Sequence, residues 1–328
     1  MTDSIAENPG AIIKIQFEDA FALVKEEVNT VLSTSPRIVR GYTEHLAGSQ
    51  GKYIRAMSLL TCAMDLDGMI SQSAVKLASA IEILHLATLV HDDVIDDADL
   101  RRGIPTLQKK FGKRTAVICG DYLLSVALRM AASIPEKKDY MEIDIPDYVM
   151  RICYGELFQQ VNNGNYNLSV YQYLKIISGK TAALFEASYF AGALLSGCDR
   201  SQIKLYKKMG RCLGMIFQLI DDCMDFEATE SIAQKPVQSD FEKNVITLPI
   251  IQAFRMVAGL KDKAQKDALS TQELNQAVSE AGGLSFTRLV AKKYYNKYMK
   301  ILNSLGTAED KHSGLERILN KAFRVFQD

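Results

Sequence analysis

The stretch Leu77–Asp96, LASAIEILHLATLVHDDVID, joins a long apolar helical pattern to a cluster of carboxylates at its end. Apolar residues recur at intervals of three and four, which is the spacing of a helix with a buried face. The same spacing occurs in Tyr122–Ala132, Tyr173–Leu195 and Lys204–Phe226. Only seven prolines occur in the chain, and the alternation typical of strands is scarce. The sequence therefore predicts an all-α protein.

Two sets of aspartates share one spacing, each at the end of an apolar run. They are Asp92, Asp93 and Asp96, and then Asp221, Asp222 and Asp225. Residues i and i+4 lie on one face of a helix, so Asp92 aims with Asp96, and Asp221 with Asp225. Like charges at the ends of apolar helices are unfavourable unless cations bind them, and ligands that are all oxygen suit Mg²⁺. Two such sets facing each other would bind a polyanion through bridging metal ions.

Composition limits the class of protein. The 328 residues are 48% hydrophobic, and 39 Lys and Arg balance 39 Asp and Glu, which argues against nucleic acid as the partner. Because no convincing linker interrupts the chain, residues 1–328 are expected to form a single domain. The most apolar stretch, Ile176–Cys198, contains Lys180 and Glu186, so no membrane span and a cytoplasmic location are expected. The cysteines lack metal-ligand spacing and are interpreted as core residues.

The basic residues are grouped in ways that composition does not require. Lys52 and Arg55 lie close together, and Arg101-Arg102 follows the first aspartate set. Lys180 interrupts an apolar helical face, where a cation needs either a buried anion or a route to solvent. Carboxylate-bound metal ions together with converging Lys and Arg side chains would form a cradle for a diphosphate.

These motifs resemble the trans-isoprenyl (polyprenyl) diphosphate synthases. Leu89–Asp96 followed by Arg101–Thr106 is similar to their first aspartate-rich motif, and Phe217–Asp225 is similar to the second. Further matching motifs occur in order: Gly120-Asp121-Tyr122, Gly155-Glu156, Gly179-Lys180-Thr181-Ala182, Lys235-Pro236 and Thr247-Leu248-Pro249. The resemblance covers roughly Gly51 to Ala253. It implies a large helical bundle around a deep central cavity and a Mg²⁺-dependent prenyltransferase, most like the hexaprenyl, heptaprenyl and octaprenyl diphosphate synthases.

The resemblance also implies roles for individual residues. The Mg²⁺ ions on the allylic diphosphate would be held by Asp92, Asp93, Asp96, Asp221, Asp222 and Asp225. Arg101, Lys180 and Lys235 would grip the same diphosphate. Lys52, Arg55, His85 and Arg102 match the positions that bind isopentenyl diphosphate. Thr181 and Gln218 match positions near the allylic cation that forms as pyrophosphate departs.

Chain length depends on how far the product tail can extend. If Asp92 binds the diphosphate, the tail runs back along its helix toward Gln72, a rise of about 30 Å. Farnesyl-type enzymes that resemble this chain have aromatic residues at the positions of Ala87 and Thr88. The small residues found here predict an open channel and a medium-to-long all-trans product.

Three departures from the family pattern affect the predicted partners. The basic motif near Gly51 has Tyr53 where the family has arginine, and Asn244-Val245 stands where the family often has Gly-Lys, with Lys243 out of register. The chain also ends in Asp328, where many members carry a basic tail. The run Asp92–Gly103 and the missing lysine both resemble the large catalytic component of two-subunit hexaprenyl or heptaprenyl diphosphate synthases, whose small partner completes the enzyme. Either a homodimer or a heterodimer with a small subunit is therefore expected.

Other functions stay open at this point. Glu82-x-x-His85 has the spacing of di-iron helical bundles, and Glu156 and Glu186 could add carboxylates, but no second Glu-x-x-His occurs. A class I terpene cyclase also has an aspartate-rich site, although its second set is usually an Asn/Ser/Glu motif. A subunit that binds prenyl diphosphates only with a partner, or a short-chain farnesyl or geranylgeranyl synthase, are further alternatives.

Overall fold

The computed structural model describes residues 14–48, 51–135, 147–227, 241 and 243–323. Within these ranges almost all regular structure is helical, and the prediction of an all-α fold is confirmed. The helices are α1 (Phe17–Ser33), α2 (Arg37–Ala47), α3 (Ile54–Ala63), α4 (Gln72–Ile95), α5 (Leu107–Phe111), α6 (Lys113–Ala132), α7 (Tyr148–Gln160), α8 (Val170–Lys180), α9 (Ala182–Leu195), α10 (Arg200–Glu227), α11 (Leu248–Met256), α12 (Leu260–Gln265), α13 (Thr271–Glu280), α14 (Gly283–Ser304) and α15 (Glu309–Phe323).

Two long helices organise the bundle. Helix α4 begins after Ser71, whose hydroxyl accepts from the amide of Ala74, and it packs against α1, α3, α6 and α9. Helix α10 packs against α9 and α14, and the hydroxyls of Tyr189 and Tyr298 hydrogen-bond at 2.7 Å inside this part of the core. Each of these helices carries one aspartate set at its C-terminal end, so the fold places both sets at helix ends.

Short strands add two small antiparallel pairs. Strand β1 (Lys14–Ile15) pairs with β2 (Ile70–Ser71), and β3 (Leu100–Arg101) pairs with β4 (Ile104–Pro105). The turn between β3 and β4 has positive φ at both central residues, 53° at Arg102 and 77° at Gly103. That combination is typical of a two-residue hairpin of type I′. The hairpin fixes where the basic pair Arg101-Arg102 lies relative to the end of α4.

The apolar pattern Tyr173–Leu195 predicts one continuous helix, and the structure divides it. Helix α8 ends at Lys180 and α9 begins at Ala182, with Thr181 between them. The Thr181 hydroxyl donates to Oε1 of Gln218 on α10 at 2.7 Å. The pattern could not reveal the break, because the residue that holds Thr181 lies on a different helix.

Helices α4 and α6 are long and apolar enough, by length and composition alone, to cross a membrane. In the most apolar window of α4 half of the residues are buried inside the protein, and in that of α6 39% are. The two helices pack against each other in the bundle. Core helices pass the same length and composition test, so neither is a clear membrane span.

Candidate active site

A cavity of about 120 Å³ lies where the ends of α4 and α10 approach each other. Its lining includes Asp96 from the first aspartate set and Asp221 and Asp222 from the second. Lys180 and Lys243 border the same space. The structure thus brings together two carboxylate sets that are far apart in the sequence, with lysines beside them.

The first set divides its aspartates between two surroundings. The amide of Asp96 donates to the carbonyl of Asp92 at 2.8 Å at the end of α4, and both side chains are partly exposed. Asp93 is only 5% exposed, and Arg101 holds its carboxylate, with Nη2 2.7 Å from Oδ1. Burial raises the pKa of Asp92 to about 6, although the charge of Lys180 opposes that shift.

The second set repeats this division. Asp221 is exposed and Asp225 is half-buried, whereas Asp222 is 3% exposed. Asp222 accepts a hydrogen bond from Nε2 of Gln218 at 2.8 Å and another from the hydroxyl of Tyr173. In both sets the middle aspartate is therefore held by protein partners, and the outer aspartates are the more accessible ones.

Thr181 and Gln218 belong to one hydrogen-bonded chain. The Thr181 hydroxyl donates to Oε1 of Gln218, whose amide group donates to Asp222, which also accepts from Tyr173. This network fixes the orientation of the Gln218 amide at the cavity wall. Tyr173 was missed in the sequence, because nothing in its helical spacing shows that its hydroxyl reaches α10.

The buried anion that Lys180 requires is Glu156. Their side chains form an ion pair of 2.7 Å, Nζ to Oε2, and both are largely buried. Burial disfavours the charge on Lys180, but Glu156 and Asp92 outweigh it and raise the pKa of the lysine. The pair forms because α7 and α8 cross at Gly155 and Gly179, where a Cβ on Gly179 would lie 2.9 Å from Cα of Gly155.

A second group of cations lies where α3 meets α4. Nη1 of Arg55 is 3.0 Å from Nε2 of His85, and the guanidinium of Arg102 lies against Gly51. Because a guanidinium only donates, His85 accepts with a neutral ring, and its burial lowers the pKa well below the usual value. Glu82 accepts from the amide of Ala56 at 2.9 Å.

Residues predicted to bind isopentenyl diphosphate thus converge, apart from the exposed Lys52, for which the structure gives no particular contact. Arg101 behaves differently from Arg102, because its side chain folds back on Asp93. Lys235 and the chain end at 324–328 lie outside the described residues. The predicted roles of all these residues stay predictions.

The two predicted chain-length residues differ in exposure. Thr88 lies one helical turn before Asp92 on the same face, it is half-buried, and its hydroxyl donates to the carbonyl of His85 at 2.7 Å. Ala87 is only 1% exposed and belongs to the core. Thr88 is therefore the more accessible of the two, and the role of both residues in chain length stays a prediction.

The donor set around the cavity fits a hard divalent cation. The carboxylate oxygens of Asp96, Asp221 and Asp222 suit Mg²⁺, and among the described residues that line the cavity there is no cysteine or histidine. In the part of the chain that the structure describes, no three His, Cys, Asp or Glu side chains are close enough to hold a metal by themselves. A metal here would thus need ligands from elsewhere, such as a phosphate bridging the two sets.

The carboxylates considered for a di-iron site have other partners. Glu82 bonds to the amide of Ala56 and Glu156 pairs with Lys180. Glu186 is held between Arg151 and Arg211, at 3.0 Å and 2.9 Å. These groups lie in separate interactions, and the di-iron interpretation is not supported.

Known proteins have sequences related to this chain. The family profile described as polyprenyl synthetase matches residues 36–281. Over 310 residues the chain is 32% identical to component 2 of heptaprenyl diphosphate synthase from Bacillus subtilis, covering 93% of this chain and 88% of that protein. It is 31% identical to octaprenyl diphosphate synthase from Escherichia coli over 283 residues, covering 84% and 86% of the two chains.

Solved structures agree with the sequence relatives. Heptaprenyl diphosphate synthase from Staphylococcus aureus superposes with a TM-score of 0.84 at 29% identity, covering 94% of this chain and 99% of that one. A polyprenyl synthase from Caulobacter crescentus, complexed with calcium and isoprenyl diphosphate, also gives 0.84 at 29% identity, with 93% and 94% covered. The fold is that of the all-α isoprenoid synthases.

The chain belongs to the polyprenyl synthetase family. The prediction of a trans-prenyltransferase is confirmed at this level, and the relatives support a member of the medium-to-long-chain class. Members of this family generally depend on divalent metal ions.

Proposed function

We propose that this chain condenses isopentenyl diphosphate with an allylic diphosphate, with Mg²⁺ as the metal, and repeats the step to make a medium-to-long all-trans prenyl diphosphate. The observation that carries this proposal is the cavity where Asp96, Asp221 and Lys180 meet. Polyanionic diphosphate fits a site that offers both metal-binding oxygens and a fixed ammonium group.

In this proposal the two substrates bind at separate diphosphate sites. The outer aspartates of both sets would hold Mg²⁺ at the allylic diphosphate, where a bound metal would neutralise charge on the leaving group. Asp93 and Asp222 are assigned to positioning, because Arg101 and Gln218 already bind them. Arg55 and Arg102 would bind isopentenyl diphosphate, with neutral His85 orienting Arg55.

The chemical step follows from this placement. The allylic C–O bond breaks, pyrophosphate leaves, and the double bond of isopentenyl diphosphate attacks the allylic carbon. Lys180 stabilises the charge that builds on the leaving group, while the oxygens of Thr181 and Gln218 face the cation. Loss of a proton to the released pyrophosphate then restores a double bond, so no side-chain nucleophile is required.

The proposed step can be tested with variants of one aspartate from each set. Asp92→Asn and Asp221→Asn should reduce pyrophosphate release by orders of magnitude in the presence of Mg²⁺ and both substrates. The melting temperatures of both variants should stay close to that of the wild type, because neither carboxylate contributes much to packing. Asp262→Asn, an exposed acid on α12, is the matched control. Full turnover in either active-site variant contradicts the assignment.

We further propose that the chain functions as a homodimer. Apolar side chains are exposed along α6, at Val117, Ile118 and Leu128, and along α7, at Met150 and Leu157. Helices of a folded protein that show such faces usually bury them against another chain. Light scattering should give twice the chain mass, and Leu157→Glu should shift it toward the monomer. A wild-type monomer that gains activity only with a small subunit would support the heterodimer instead.

A further inference from the structure

Lys243 occupies a place in the cavity that the sequence motifs leave unassigned. Its side chain borders the space lined by Asp221 and Lys180, and its Nζ lies 3.5 Å from Oδ2 of Asp96. The residue precedes the turn into α11, outside the motifs that match the family. Among the residues that the structure describes, the ammonium groups of Lys180 and Lys243 both border this cavity.

The turn that carries Lys243 is held in place by its backbone. Asn244 adopts a positive φ of 61°, a conformation that asparagine tolerates better than most residues. Its amide donates to the carbonyl of Phe241 at 2.9 Å, and its carbonyl accepts from the amide of Gly164 at 2.8 Å. The second bond ties the segment to the turn that follows α7. Lys243 thus projects from an anchored turn.

Its neighbour two residues later cannot supply a charge. Val245 lines the same cavity, and the segment continues through the buried Ile246 and Thr247. The family resemblance implies a lysine at position 245, and this chain has an apolar side chain there. Lys243 and Val245 border one cavity, so a lysine at either position is within reach of the same ligand.

We propose that Lys243 binds the diphosphate of the allylic substrate, in place of the lysine that is missing at position 245. This assignment rests on the proposed function. The contact between Lys243 and Asp96 competes little with diphosphate binding. Nζ of Lys243 and Oδ2 of Asp96 are 3.5 Å apart, and both side chains are more than a third exposed. Such pairs contribute little. A metal ion held by Asp96 would compensate its charge, and the Lys243 ammonium would then be available to a phosphate oxygen, for which a lysine is a suitable partner.

Binding of inorganic pyrophosphate with Mg²⁺, measured by calorimetry on the full chain, tests the proposal without turnover. Lys243→Gln and Lys243→Ala should weaken binding about tenfold or more, the usual effect of losing a hydrogen bond to a charged group. In kinetics the KM for farnesyl diphosphate should rise more than the KM for isopentenyl diphosphate. Lys266→Ala, an exposed lysine after α12, should change neither quantity.

The decisive variant restores a lysine two residues away. Val245→Lys added to Lys243→Ala should recover most of the lost affinity for pyrophosphate. Affinity that is unchanged in Lys243→Ala, or not recovered in the double variant, overturns the assignment. If the wild type binds pyrophosphate but makes no prenyl product, the proposed function is wrong. The pyrophosphate affinities of the variants then still test whether Lys243 binds the diphosphate. If product forms and the Lys243 variants match the wild type, only this assignment is overturned.

Discussion

Gly155 allows α7 and α8 to cross backbone to backbone, and Gly155→Ala removes that freedom. A Cβ at this position would meet the backbone nitrogen of Lys180 first and would lie 2.7 Å from the carbonyl carbon of Gly179, whereas ordinary contact begins at 3.4 Å. Because the obstacle is main chain, the helices must separate by about 0.7 Å or more. Overpacking of this kind costs about 1–3 kcal/mol. The same movement carries Glu156 away from Lys180, and a misplacement of about 1 Å can reduce turnover roughly 100-fold.

Thermal melting and turnover with farnesyl and isopentenyl diphosphates measure the two effects of Gly155→Ala. Gly41→Ala on α2 is the matched control, because no atom lies within 4 Å of a Cβ built there. Alanine is the better helix former by about 0.5–1 kcal/mol, so this control should melt no lower than the wild type. Wild-type melting and turnover in Gly155→Ala would refute the reasoning that the glycine crossing positions Lys180.

Two other changes have distinct expected results. Thr88→Phe should shorten the products toward farnesyl or geranylgeranyl diphosphate with little loss of stability, because Thr88 is half-buried. Ala87→Phe should also shorten them but cost about 1–3 kcal/mol, because Ala87 is 1% exposed. Unchanged product length in both variants would contradict the prediction of a channel that runs along α4 from Asp92 toward Gln72. Burial disfavours the charge of Glu186, but Arg151 and Arg211 outweigh it and hold the pKa of this carboxyl below its usual value. The resulting stability is present above pH 4.5 and is lost as the pH falls through the lowered pKa. Glu186→Gln should therefore cost about 1–3 kcal/mol at pH 7, because the two arginines it leaves are partly exposed to solvent. The stability difference from the wild type in denaturant unfolding should narrow in acid. A stability difference between Glu186→Gln and the wild type that stays constant across this pH range would contradict the stabilising role of the Glu186 ion pairs.

The sequence predicts those parts of the site that depend on local spacing. The i, i+4 relation of Asp92 and Asp96 follows from the helical period alone, and so does the helical class of the fold. The motif around Lys180 also indicates that the lysine needs a buried anion. Because each of these features depends on the spacing of residues within one helix, a single sequence is sufficient to predict it.

Pairings between distant segments could not be predicted in the same way. Glu156 pairs with Lys180 only because two glycines let α7 and α8 cross closely. Neither segment of sequence indicates that the other is its neighbour. Arg101 binds Asp93 because a hairpin turns the chain back, although the motif suggests a ligand for the diphosphate. Lys243 enters the cavity through a turn with positive φ at Asn244. Each case depends on tertiary packing and not on residue spacing.

The central claim is repeated condensation in the cavity between the two aspartate sets. Its most direct measurement is the size of the product that the purified chain makes from farnesyl diphosphate, labelled isopentenyl diphosphate and Mg²⁺, separated by chromatography after removal of the diphosphate. The account predicts labelled all-trans products longer than geranylgeranyl diphosphate, and their loss when the metal is chelated. Absence of incorporation, with or without a small subunit, or products that stop after one addition, would contradict it.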